Sequence, residues 1–474
     1  MNKLDFPDYF LPALVKDLRQ SLRSSSALIT AGLIPCLLAI TLCSENDHSF
    51  WLITSIILFL LTIVAYKSVK QDIGQHATNF LILTGQTSWR IIVGKWLSVA
   101  VQMGLVNLLL LPFIVFASFH YEQPFWLFFI HLLIINAASI ILTSAQMFLA
   151  GMPFFYRVIG IIAGIMYFMS ALGFFSLMAD VLYEGLKIWD KETLQTTVPL
   201  LLVSAADTVC IILLFLTLAR RFYASPSENC ALPLRQLSFI VWGITAITVL
   251  TPTFDAVQQF IFSSVYCLFA VWLDMTLPSQ TLLSHKENLS KHPLRIRPSF
   301  LSLPGWAPAY FWGIVLLVLH AGLLYGTFYI QSDSQNILGA LTFGAVDNPS
   351  IQFGGILLTV FSILYTITVP LIILNPMRRW LQNHGPVVYA FILMAIALVF
   401  TPILTSIPDL QNDSPIVALI PGLCLSGTLF TWFHSIVEQK TCLQGTYFLT
   451  QCAAVGFSCL ILLFQAFRSQ RTQR

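Results

Sequence analysis

The chain predicts an all-α, polytopic membrane protein with about 12–13 transmembrane helices. Of its 474 residues 57% are hydrophobic and only 9% charged, whereas a soluble domain carries about 25% charged residues. Apolar runs long enough to cross a hydrocarbon core of about 30 Å, which takes roughly 20 helical residues, recur from Ser26 to the C-terminal tail. These runs are unbroken stretches of Leu, Ile and Phe. Barrel strands would alternate with period two, so helices satisfying their own backbone groups are the consistent reading.

Taken in order, the runs predict spans near 26–43, 50–66, 91–118, 125–151, 154–179 and 197–219, closed by a basic break at Arg220, Arg221 and Arg235. A second set follows at 237–251, 255–275, 309–330, 351–375, 386–407, 414–436 and 443–467, with the first of these short. Short cytoplasmic loops retain Lys and Arg, which orients the chain. An N-terminus on the cytoplasmic side gathers Lys16, Arg19, Arg23, Lys67, Lys70, Arg90, Lys95, Arg157, Arg220, Arg221, Arg235 and the 286–297 cations there. Glu45, Asp47, Glu122, Asp180, Glu184 and Asp333 then fall outside, as do Lys187 and Lys191. Thirteen crossings place Arg468, Arg471 and Arg474 outside against the same rule. Twelve follow if one of the last three runs does not cross.

Other features narrow the class. The N-terminus, Met-Asn-Lys-Leu-Asp-Phe-Pro, reads without a cleavable leader. The 9 cysteines show no paired metal spacing, and Cys36, Cys210, Cys267 and Cys459 sit inside apolar runs as small core residues. No metal site is expected. A net charge of +3, spread over loops, implies no nucleic-acid partner. Residues 8–23 set Tyr9, Phe10, Leu14, Leu18 and Leu22 against Lys16, Arg19 and Arg23, which suits either a helix in the headgroup plane or an ordinary positive flank.

The connection from Lys67 to Lys95 carries the strongest functional signal. Phe80, Leu81 and Leu83 recur on one helical face, while Gln86, Thr87, Ser88 and Arg90 are polar, so a short amphipathic helix at the membrane surface is expected. Gly85 offers a break and Thr87 or Ser88 a helix N-cap before the third span. Gly94 and Lys95 open that span, and the lysine is expected to snorkel to the inner interface.

This stretch resembles the type-2 ABC exporter permease family. There a hydrophobic triplet, Leu-Thr-Pro, a serine-containing turn and Gly-Lys connect the second and third helices. The matching residues are Leu81-Ile82-Leu83, Thr84, Ser88, Gly94 and Lys95, with Pro112-Phe113 at the position of a proline-aromatic break later in the helix. Gly85 stands where the family has proline, and the acidic residues ahead of the triplet are reduced to Asp72. The resemblance implies a cytoplasmic interfacial segment at 1–25 and a six-helix permease domain at 26–225 with its coupling segment at 67–95. It also implies a separate ATP-binding ABC subunit as partner, permeases paired as a homo- or heterodimer, and ATP bound by that partner, so no cofactor in this chain. Phe80, Leu81, Leu83, Thr84, Ser88, Trp89, Arg90, Gly94 and Lys95 would form the ATPase-coupling surface. Residues 226–474 make a second membrane domain of six or seven helices. It reads either as a diverged permease repeat or as an unrelated helical extension.

The energy source must lie outside the chain under this reading, because no G-x-x-x-x-G-K-[ST] phosphate loop occurs and Gly94-Lys95 is followed by Trp96. An alternative is a secondary transporter driven by an ion gradient, for which Asp207 and His320 are the ionisable residues at membrane depth. A membrane-embedded lipid-linked transferase is the second alternative. The sequence offers no H-E-x-x-H motif and no catalytic constellation for it. The expectation is therefore a non-enzymatic permease subunit in a bacterial plasma (inner) membrane, with its N-terminus cytoplasmic.

Overall fold

The computed structural model describes residues 47–74, 87–122, 125–152, 191–224, 229–250, 256–276 and 305–330, with scattered helical positions elsewhere. Seven long helices are described: α1 Asp47–Gly74, α2 Ser88–His120, α3 Phe125–Ala150, α4 Lys191–Arg220, α5 Ala231–Leu250, α6 Ala256–Thr276 and α7 Trp306–Ile330. Six helices, all but α6, are long and apolar enough to cross a membrane, and no strand occurs among the described residues. The protein is an all-α polytopic membrane protein. The predicted runs at 26–43, 154–179, 351–375, 386–407, 414–436 and 443–467 fall wholly or largely outside the described residues, as does most of 8–23.

Two compact units divide the chain, Met1–Leu237 and Ser238–Arg474, and the division falls within α5. In the first unit α1 and α2 run antiparallel and α3 runs beside α1. Phe50, Ile57 and Leu58 of α1 pack on Leu110, Ile114 and Ala117 of α2 and on Phe128, Leu132 and Ile135 of α3. Aromatic side chains crowd this end. Trp51 stacks on His131 with ring centroids 4.9 Å apart, and Tyr121 lies parallel to Phe128 at 6.4 Å. Such amphipathic rings favour a membrane–water boundary. α2 ends in a turn, with Tyr121 N–H donating to Ala117 O and Glu122 taking a positive φ of 53°. That left-handed residue ends the helix in the usual way.

Three boundaries differ from the sequence reading. α1 continues two turns past residue 66, so Lys67, Lys70 and Asp72 lie on a helix and not in a loop. α2 passes through Pro112 without a break, held in the bundle on both sides of it by the buried Leu110 and Ile114. α5 starts at Ala231, six residues ahead of the expected 237, which makes a full-length span of a run that looks short. Asn229 explains the early start: its Oδ1 accepts from the backbone N–H of Ala231 and Leu232, and Pro233 falls in the first turn where its missing donor costs nothing. Arg235, read as part of a basic break, is consequently a buried helical residue.

In the second unit α6 packs on α7. Gly313 of α7 faces Val271 of α6, and a side chain at 313 would stand 2.8 Å from Val271 Cγ1. Small residues at such crossings let helices approach closely in a membrane, where packing replaces hydrophobic exclusion as the driving force.

Candidate functional site at the α1–α2 junction

The end of the first unit opposite the aromatic cluster is polar. Asp72 lies in the last turn of α1 and Lys95 in the second turn of α2, and their antiparallel packing brings the two charges together. Lys95 Nζ stands 2.8 Å from Asp72 Oδ2 and donates to Ser68 Oγ at 2.7 Å. Both charged residues are buried, Lys95 to 4% exposure. Ser68 and Asp72 are one helical turn apart, so a single ammonium reaches both.

The end of α4 joins the same cluster. Tyr223, fully buried in the turn after α4, donates its hydroxyl to Asp72 Oδ2 at 3.4 Å. Arg220 Nε donates to Ser88 Oγ at 2.8 Å, tying the last turn of α4 to the first turn of α2. Gly151, just beyond α3, lies directly under the Phe222 ring, and a Cβ there would overlap the ring. Four helix ends therefore meet where the chain leaves α1 and re-enters the bundle at α2.

The cap of α2 is the one expected. Thr87 is extended, with φ −71° and ψ 142°, and its side chain accepts from Arg90 N–H at 3.4 Å. Ser88 is the first helical residue and is buried, Trp89 is half-buried and Arg90 is exposed. Gly94 is buried in α2. Lys95 does not snorkel. Asp72 offers its ammonium a charged partner inside the bundle, and a paired, hydrogen-bonded charge tolerates burial where an isolated one does not. Phe80, Leu81, Leu83 and Thr84 lie outside the described residues.

Sequence reasoning placed Asp72 only as a residual acidic position, and it missed Ser68, Arg220 and Tyr223 as members of this cluster. Arg220 and Tyr223 are more than 120 positions from Ser88 and Asp72. No local pattern links them.

The two intramembrane polar residues sit elsewhere. Asp207 is half-buried in the middle of α4. His320 of α7 is buried, with Nδ1 2.8 Å from Leu316 O and Nε2 3.0 Å from Ser263 Oγ of α6. A carbonyl can only accept, so Nδ1 carries a proton, and Nε2 shares the second bond with the serine hydroxyl. Asp207 does not join the α1–α2 junction of its own unit, and His320 belongs to the second unit. No group of three or more His, Cys, Asp or Glu able to hold a metal occurs among the described residues.

Compared with models of known protein families, with curated proteins and with solved structures, the chain matches none. Its class, a polytopic α-helical membrane protein, is accordingly defined by its own helices.

Proposed function

We propose that this chain is the permease subunit of an ABC-type exporter, moving its substrate by alternating access driven by a separate ATPase subunit. The observation that carries the reading is the pattern Leu81-Ile82-Leu83-Thr84 through Gly94-Lys95, which runs from the connection after one membrane span into the first turns of the next. The membrane-helix pattern is compatible with it. Segment 75–86 connects adjacent ends of the antiparallel helices α1 and α2, so a partner pressing on it would act directly on both spans. Phe80, Leu81 and Leu83 would seat in the partner's groove, with Thr84, Ser88, Trp89 and Arg90 beside them. Gly94 and Lys95 would hold the start of α2. The chain itself would hydrolyse nothing, ATP would be bound by the partner, and a second permease would complete the pathway. The host would be a bacterial inner membrane with the N-terminus in the cytoplasm.

Replacing Leu81 and Leu83 together by Asp tests this directly. Each leucine buried in a groove contributes about 1.5–3 kcal/mol, and the new carboxylates would be buried without partners. The variant should insert and fold yet fail to co-purify with an ATPase or to stimulate its hydrolysis. Retention of the ATPase by the double variant, or its absence from wild-type preparations out of the native membrane, removes the reading. Orientation is checked separately: cysteines at Ser44 and Asp333 in a cysteine-free background should react with an impermeant reagent from outside, and cysteines at Gln75 and Asn288 should not.

A further inference from the structure

We infer that Asp72 and Lys95 form a register latch, which fixes the axial position of α2 against α1 and makes the ends of α1, α2 and α4 move as one body. The inference goes beyond the transport reading and holds whatever docks on segment 75–86.

A buried ion pair gives a membrane bundle little net stability, because desolvation of both charges offsets their attraction, and well-packed apolar residues would serve packing as well. What a charge pair supplies is discrimination between registers. Lys95 finds Ser68 and Asp72 on one face of α1, in consecutive turns. The next turn on that face presents Val64 and Ala65, which offer no side-chain partner. A slip of α2 by one turn away from Asp72, about 5 Å, would therefore leave the ammonium with Ser68 as its one partner on that face, beside Val64 and Ala65, and the carboxylate without its cation. The same pair is braced from α4, since Tyr223 donates to the carboxylate and Arg220 to Ser88. A slip of α2 on α1 thus also has to break contacts to α4. The latch closes immediately before and after segment 75–86, so a force on that segment is delivered to three helix ends together and is not absorbed by one of them.

The test labels two exposed positions that flank the junction, Lys70 and Arg90, with spin labels in the full-length chain and reads their distance distribution. Wild type should give one narrow distribution. Asp72→Leu with Lys95→Met removes both charges together and strands neither, while the hydroxyls of Tyr223 and Ser68 lose their bonds to the pair, so the variant should still fold with a modestly lowered melting temperature while a second population appears, displaced by about one helical turn of 5 Å. Asp72→Asn with Lys95→Gln, closer in shape and neutral, should do the same and serves if the apolar pair does not fold. The exchanged pair, Asp72→Lys with Lys95→Asp, should regain the single distribution. A single narrow distribution in a folded neutral variant overturns the latch and shows that the pair only fills space. Because the readout needs no ATPase, failure of the latch and failure of the permease reading are separate results.

Discussion

Asn107 of α2 and Asn136 of α3 exchange their side-chain amides, Asn107 Nδ2 donating to Asn136 Oδ1 at 2.7 Å and Asn136 Nδ2 returning to Asn107 Oδ1 at 3.2 Å. Asn136 also donates to Leu132 O of its own helix at 2.7 Å. The two amides bind helices of one unit at mid-span, far along the chain from the charged junction. Hydrogen bonds of this kind substitute for hydrophobic exclusion between membrane helices.

The exchange predicts an asymmetry. Asn136→Ala deprives Asn107 of both partners, whereas Asn107→Ala leaves Asn136 bonded to Leu132 O. The first substitution should therefore destabilise more than the second in equilibrium unfolding in mixed detergent. A double-mutant cycle should return a coupling between about 0.6 kcal/mol, the average for such bonds in a membrane protein, and about 1.7 kcal/mol, the largest. A coupling of zero would mean that the pair is hydrated and carries no helix contact.

The α6–α7 crossing should be intolerant of one methyl group. Gly313→Ala forces Val271, a stiff and buried β-branched side chain, out of its place, at a cost of about 1–3 kcal/mol in stability. Val271→Ala with Gly313→Ala should recover most of that loss. Thermal unfolding of the detergent-solubilised chain reads both, and an unaffected Gly313→Ala variant would show that the helices can separate freely.

Asp207 and His320 separate the two energy sources. His320 is held by Ser263 and Leu316 through both ring nitrogens, an arrangement suited to fixing α7 on α6. If a partner ATPase drives the protein, Asp207→Asn and His320→Gln should each complement a deletion of the chain, and the complemented phenotype should follow ATP depletion. Loss of complementation together with dependence on the proton gradient would favour a secondary transporter.

The junction shows where sequence reasoning reached and where it stopped. Thr87 was legible as a cap because the signal is local: a hydroxyl placed to accept from the third residue on. Lys95 was legible as a cation at the start of a span, yet its direction was not, since snorkelling and burial use the same residue at the same position. Asp72 decides between them, and it stands 23 positions away on a different helix. Helix ends were misplaced for a related reason. Hydropathy marks the membrane-embedded core of a helix, and the polar turns of α1 beyond residue 66 and of α5 before residue 237 continue a backbone that hydropathy does not see.

Composition and apolar run length alone determined the class, an all-α polytopic membrane protein, because a bilayer core admits few ways to satisfy a backbone and 57% apolar content with long unbroken runs leaves helices. The sequence also marked the stretch from Lys67 to Lys95 as unusual. Tertiary structure alone decided which polar residues meet: Asp72 with Lys95, Arg220 with Ser88, Asn107 with Asn136, Ser263 with His320. Each of these pairs joins different helices. Inside a membrane-spanning bundle, where apolar faces contact lipid and protein alike, it is the choice of packed faces, invisible to any local pattern, that selects the partners of these buried polar groups.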